Sequence, residues 1–357
     1  MRGIKLFVLL LLLGGGAYYA YSFDASEVND SETDTKDDLS LEQVQRDSPK
    51  DSPKQNEEDT IKLNGQLYKW IGKTASTLKG EFGAPTRKDL SSYGYTWWVY
   101  TNQENQYIQF GVENDKVVTV YATGENLSAE PAQIGQGYGE VNEQFDFNEK
   151  VSLSEEFQTY EFKLTKDQLE TRPLVKVKDD IFIQFYFDRF TESLSSIRVL
   201  NTSVLLLQRP YKISYRGELP EKPTNSKEEW KEIDSGMEQQ VFDLTNIIRN
   251  RFDKSMLDWN DRVAEVAFGH SKDMALNNYF SHFSPDGNGL KERLKEKSII
   301  YSAAGENIAA QYPDAPAAVE GWLNSEGHRK AMLTDDYSDL GVGVYRYYYT
   351  QNFLKKQ

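Results

Sequence analysis

The sequence predicts an α+β protein with two folded parts behind an apolar N-terminal segment and an acidic tether. Three observations carry this. Paired runs of aromatic and β-branched residues fill much of 61–215, apolar residues at helical spacing appear after residue 237, and all three histidines lie in the last quarter of the 357-residue chain. Imidazole is the one side chain that titrates near neutral pH unperturbed, and it is the commonest metal ligand. The chain has no cysteine, which excludes disulfides, thiolate catalysis and a lipid-modified cysteine anchor. Imidazole chemistry, if any, belongs to the C-terminal part.

The N-terminus reads as an export signal. Met1-Arg2-Gly3-Ile4-Lys5 places two positive charges before the apolar run 6–13, which continues through Gly14-Gly15-Gly16-Ala17 to Phe23. The stretch 6–23 is long enough to span a bilayer as a helix, with tyrosines suited to the interface. Residues 1–23 are thus expected to anchor the protein in the membrane, with cleavage at Ala20-Tyr21-Ser22 and secretion as the alternative. Residues 24–60 carry thirteen acidic and four basic side chains and almost no aromatics. Such a segment cannot bury enough apolar surface to offset chain entropy, so it reads as a solvated tether. The net charge of −15 and pI of about 4.8 argue against nucleic acid and anionic lipid headgroups as partners.

Within 61–215, Tyr107-Ile108-Gln109-Phe110-Gly111-Val112 turns through Glu113-Asn114-Asp115-Lys116 into Val117-Val118-Thr119-Val120-Tyr121. β-Branched and aromatic runs around a polar turn predict a hairpin. Phe182-Ile183-Gln184-Phe185-Tyr186-Phe187 leading to Ile197-Arg198-Val199-Leu200 predicts a second. An Ile-Gly pair and a helix-compatible stretch precede each hairpin, Ile71-Gly72 and Ile134-Gly135. The region is therefore expected to be β-rich with a degenerate internal duplication. Trp97-Trp98 and the tyrosines suit strand cores and cross-strand pairs better than a ligand groove.

Residues 216–236, with Pro220 and Pro223, are expected to link this part to a domain at 237–357. There the pattern becomes helical. Val241, Leu244, Ile247 and Ile248 mark one helix. Val263, Val266, Ala267 and Met274 mark a second, ending near Asn277-Asn278, and a third spans about 315–323. Leu340-Gly341-Val342-Gly343-Val344-Tyr345 and Tyr348-Tyr349-Thr350-Gln351-Asn352-Phe353 read as a closing hairpin.

The ordered motifs in this part are Asn246-x-x-Arg249, Leu257-x-Trp259, Ala267-x-x-His270-Ser271-x-Asp273-Met274 and Ser281-His282-x-Ser284-Pro285-x-Gly287. Gly305-Glu306-Asn307-Ile308-Ala309, Trp322-x-x-Ser325-x-Gly327-His328-Arg329, Gly341-Val342-Gly343 and Thr350-Gln351-x-Phe353 follow. Together they resemble the bacterial branch of the CAP superfamily, the SCP-like extracellular domains named for cysteine-rich secretory proteins, antigen 5 and pathogenesis-related 1 proteins. The region before them resembles the CAP-associated N-terminal domain of Firmicutes proteins. The resemblance implies a three-layer α-β-α sandwich at 237–357, in keeping with the helix-then-hairpin order.

It also implies a cleft of two histidines and two glutamates that binds zinc or another divalent cation in some members. Carried over by motif, His282, Glu306 and His328 fill three places. The fourth falls on Ser325, with Glu326 as the adjacent acid. His282 and His328 would be the metal ligands. Structural readings stand beside these: Gly305 and Asn307 for left-handed backbone, Glu306 as a buried partner of His282, and His270 as a hydrogen-bonding helix residue. No nucleophile-elbow sequence surrounds Ser281, Ser284 or Ser325, and the family has no agreed enzymatic activity. The expectation is a cell-surface binding module for a small ligand, lipid or cell-wall component. The alternatives are a metal-assisted hydrolase of peptide, ester or wall, using Glu306 as base with His282 and His328, and a surface protein with a vestigial cleft.

Overall fold

Ile71-Gly72 and Ile134-Gly135 open the same local structure twice in the computed structural model, which describes residues 61, 66–102, 105–124, 127, 130–155, 157–178 and 180–356. Both glycines hold positive φ, 81° and 89°, where a Cβ would be strained. Gly72 N–H donates to Val117 O, and Gly135 N–H to Leu194 O, each at 2.8 Å. The first pair leads into α1 (Ala75–Phe82), capped by the Thr74 side chain. Strands β1 (Arg87–Leu90), β2 (Thr96–Thr101), β3 (Gln106–Glu113) and β4 (Lys116–Gly124) follow. The second pair leads into α2 (Tyr138–Phe145), then β5 (Lys150–Glu155), β6 (Gln158–Lys163), α3 (Lys166–Thr171), β7 (Leu174–Lys178), β8 (Ile181–Asp188) and β9 (Ser193–Asn201).

The predicted hairpins are β3–β4 and β8–β9, and they meet through β4 and β9 at the middle of a seven-stranded sheet, β1-β2-β3-β4-β9-β8-β7. The duplication is thus visible as two halves joined edge to edge. Helix α4 (Thr202–Gln208) and β10 (Lys212–Arg216) end this region, with β10 in a small sheet, β10-β6-β5. Trp97 is buried in the core, while Trp98 lies under the Lys88 ammonium.

Helix α5 (Lys227–Arg251) starts with a capping box between Ser226 and Glu229, so the end of the expected junction 216–236 is helical. Then come β11 (Asp258–Trp259), α6 (Asp261–Asn277), α7 (Leu290–Glu296), β12 (Ala303–Ala310), α8 (Ala315–Leu323), α9 (Glu326–Leu333), β13 (Asp339–Tyr345) and β14 (Tyr348–Lys355). The four-stranded sheet runs β11-β13-β14-β12, leaving β12 at an edge. Its two faces carry different helices. Ser271 of α6 bonds Gly343 O and Thr350 on one face, and Thr245 of α5 bonds Gln351 on the other. This is the three-layer sandwich. A Cβ on Gly341 or Gly343 would run into the α6 backbone, so the Gly-Val-Gly motif exists to let helix and strand touch.

Helices α5 and α8 also cover the seven-stranded sheet. Val241, Leu244, Trp322 and Leu323 share one apolar cluster with Tyr95, Trp97 and Tyr121. One helical layer therefore serves two sheets. Polar bonds cross the same seam: Arg198 pairs with Asp314 at 2.8 Å, both buried, and Glu320 accepts from Tyr121, Ser195 and Ser196.

No described helix is long and apolar enough to cross a membrane. The expected anchor at 1–23 and tether at 24–60 lie outside the described residues.

Candidate functional site

Edge strand β12 separates the expected site residues. Strand alternation turns Glu306 to the α6–α7 face and Asn307 to the opposite face. Glu306 is the hub of the first group. Its side chain is 4% exposed; His282 Nδ1 lies 3.0 Å from Oε1, and Arg293 Nη2 lies 2.7 Å from Oε2. A carboxylate accepts, so His282 donates from Nδ1. That ring is 49% exposed. Burial works against charge on Glu306, but the His282 hydrogen bond and the charge and hydrogen bond of Arg293 outweigh it and hold the carboxyl below its ordinary range.

The loop carrying His282 is fixed from behind. His270 Nε2 is 3.0 Å from Ser281 O, and Arg293 Nη1 is 3.1 Å from His282 O. A carbonyl can only accept, so the His270 proton is on Nε2. Burial pushes the His270 pKa down despite Glu306 nearby. Among the described residues, its Nδ1 is buried without a hydrogen-bond partner, as are both side-chain polar atoms of Asn352, which pairs with Glu306 across β12–β14.

On the other side, Asn307 Nδ2 donates to His328 O at 3.0 Å and to Gln351 Oε1 at 3.1 Å. His328 Nδ1 lies 2.8 Å from Ser325 Oγ, which joins those two expected residues. Glu326 is exposed on the first turn of α9. The structure thus brings Glu306 to His282, and Ser325 to His328, as two separate groups on opposite faces of β12.

Gly305 and Asn307 are not in left-handed backbone; both lie in β12. Gly305 is required because a Cβ would strike the Tyr337 hydroxyl, and Asn307 because its amide bridges β14 and α9. Among the described residues, no three His, Asp or Glu side chains gather to hold a metal ion. Both Glu306 oxygens are taken, one by a guanidinium, whose charge opposes a cation there. The residues present do not fit zinc or another divalent ion on His282, Glu306 and His328. Arg293 was not foreseen, since one arginine within Leu290-Lys291-Glu292-Arg293-Leu294-Lys295 carries no motif signal.

A helix–sheet–helix sandwich with a histidine–carboxylate pair at its sheet edge is the arrangement of an SCP-like domain. The cysteine-rich secretory protein family (CAP) matches residues 242–354, and the CAP-associated N-terminal family matches 71–211. The chain belongs to the CAP family, in the form that carries a CAP-associated N-terminal domain. It is 42% identical over 356 residues to "Uncharacterized membrane protein YlbC" of Bacillus subtilis (strain 168), covering all of both chains. An extracellular protein containing a SCP domain from Bacillus anthracis str. Ames is similar in structure, with TM-score 0.77 and 43% identity, over 86% of this chain and 99% of that one. A cysteine-rich secretory protein from Staphylococcus aureus subsp. aureus Mu50 follows at TM-score 0.70 and 28% identity, covering 81% and 94%.

Proposed function

We propose that the protein is a cell-surface binding module whose cleft takes a small polar ligand, a fragment of the cell wall, on His282. The observation that carries this is the His282–Glu306 pair: a buried, arginine-held carboxylate accepts from Nδ1 and orients the half-exposed ring, whose Nε2 in the neutral tautomer is a hydrogen-bond acceptor. A ligand hydroxyl or amide N–H is the complementary group. Placement at the cell surface is supported by two Bacillus relatives, one described as a membrane protein and the other as an extracellular protein, and the N-terminal segment would hold it there.

The same pair favours one hydrolytic alternative over the metal-assisted one. A histidine whose far nitrogen is held by a carboxylate is suited to general-base work. Glu306 itself, charge-stabilised and fully engaged, is a poor base. Both readings are tested on the full-length chain with ring-¹⁵N-labelled histidine, titrated with soluble muropeptides. Binding predicts saturable movement of the His282 ring signals and at least about tenfold weaker affinity in His282→Gln, about 1.4 kcal/mol. If muropeptides leave the His282 signals in place, or bind His282→Gln equally well, the module reading fails. Cleavage of the muropeptide by wild type but not His282→Gln would replace binding with hydrolysis.

A further inference from the structure

Residues 187–190, the end of β8 and the start of the turn to β9 (hereafter the turn 187–190), belong to the N-terminal part, yet they seat on the elbow between α8 and α9. Asn324, the C-cap of α8, accepts from Arg189 N–H at 2.8 Å and donates through Nδ2 to Phe187 O at 3.0 Å. Arg329 Nη1 donates to Asp188 Oδ2 at 2.8 Å, with the Asp188 side chain 3% exposed. The Arg329 guanidinium also lies against two rings, 4.8 Å from Phe190 and 4.7 Å from Phe252. Asp188 Oδ1 accepts from Phe190 N–H at 3.0 Å, so one aspartate both shapes the turn and holds the arginine.

These anchors bracket His328. Asn324 precedes Ser325, whose hydroxyl meets His328 Nδ1, and Arg329 follows His328 directly. Helix α9 has eight residues, and a helix that short does not hold its own geometry in water. Its C-terminal end is fixed by Arg249, which donates to Met332 O and Thr334 O. Its first turn, which carries His328, is held by 187–190 through Arg329 on one side and by Asn307, which donates to His328 O, on the other. The opposite wall is independent of this contact, because His270, Arg293 and Glu306 that hold His282 all come from the C-terminal part.

We propose that the turn 187–190 is a positioning element of the cleft, with Asp188 the positioning residue for His328. This rests on the reading that His328 lines the cleft, but the coupling itself needs no ligand. The N-terminal part thereby shapes one wall of the site and leaves the other alone.

The chain has only three histidines, so selective ¹⁵N-histidine labelling of the full-length protein reports both walls at once. Asp188→Asn and the exposed-site change Phe190→Leu are compared with wild type. The expected result is displacement of the His328 Nδ1 resonance by more than its line width in both variants, with His270 and His282 unmoved. A purely structural role for the turn predicts no such selectivity. Should Asp188→Asn unfold the protein, all three histidines move together and Phe190→Leu decides. The proposal is overturned if His328 stays in place in folded Asp188→Asn or, where that variant unfolds, in folded Phe190→Leu. Muropeptide affinity does not enter this readout, so failure here leaves the His282 reading standing, and the reverse.

Discussion

His270 donates Nε2–H to Ser281 O, the carbonyl just before His282, at 3.0 Å. A buried, neutral imidazole on α6 therefore sets where the exposed imidazole stands. Replacing it with glutamine, His270→Gln, is expected to destabilise the protein by about 1–3 kcal/mol at pH 7.5, the cost of disturbing a buried hydrogen bond. The sign with pH follows from burial. The folded state keeps this pKa below 6.5, so the unfolded chain binds the proton more readily and wild-type stability falls as pH drops below 6.5. The variant lacks that fall. Denaturant unfolding at pH 7.5 and 5.5 should show the gap between wild type and variant narrowing at the lower pH.

Glu306 works in a lower window. Its carboxyl is held below the ordinary range, so its contribution is full above the unfolded carboxylate pKa and is lost as pH falls through the folded value. Glu306→Gln is expected to cost about 2 kcal/mol at pH 7, a charged hydrogen-bond loss, and to flatten the acid limb of the stability curve. Urea midpoints between pH 3 and 6 would check this; parallel curves for the two proteins would contradict it.

Asp234 and Glu238 on α5 act in the opposite sense. Each accepts a backbone N–H at the β13–β14 end, from Arg346 at 2.8 Å and Val344 at 3.0 Å. Burial nevertheless pushes both pKa values up to about 7. The folded state then binds more protons than the unfolded chain between the ordinary carboxylate pKa and about 7, and stability falls as pH rises across that interval. Asp234→Asn keeps the acceptor and removes the charge. It should lessen this loss by about 2–4 kcal/mol, seen as a smaller difference in unfolding free energy between pH 5 and 8.

Arg198 and Asp314 form an ion pair with side-chain exposures of 0% and 6%. Removing one partner leaves a buried charge unmatched, so Arg198→Ala is expected to cost about 3–5 kcal/mol. The paired replacement Arg198→Met with Asp314→Leu should recover much of that. A thermal melt of the three proteins decides; if the single variant is the most stable, the pair is not holding the seam.

Much of this was legible because it obeys simple periods. The spacing of Val263, Val266, Ala267 and Met274 located α6, and Asn278 ends it in left-handed backbone. The two Ile-Gly pairs disclosed a duplication that recurs as matching backbone bonds to Val117 and Leu194. Motif order led to Glu306 and His282, but the same motifs contain more braces than site residues. Asn246 bonds Leu257 in both directions, Arg249 holds the end of α9, and Trp322 caps Ile308 O. Arg293 and Asp188 escaped notice because their importance arises from long-range packing. An arginine in a lysine-rich helix and an aspartate at a strand end look ordinary until the chain has folded.

The helical layer shared by two sheets has one more consequence. Val241, Leu244, Trp322 and Leu323 of α5 and α8 pack in the cluster that the seven-stranded sheet also fills, so a cut near residue 237 would strip an apolar wall from each fragment. The two families recognised along this chain are separate in sequence, but their folded parts share one apolar layer. Expressed alone, each piece should be sticky; expressed together, they should find one another again. What looks like a domain boundary is better regarded as a party wall.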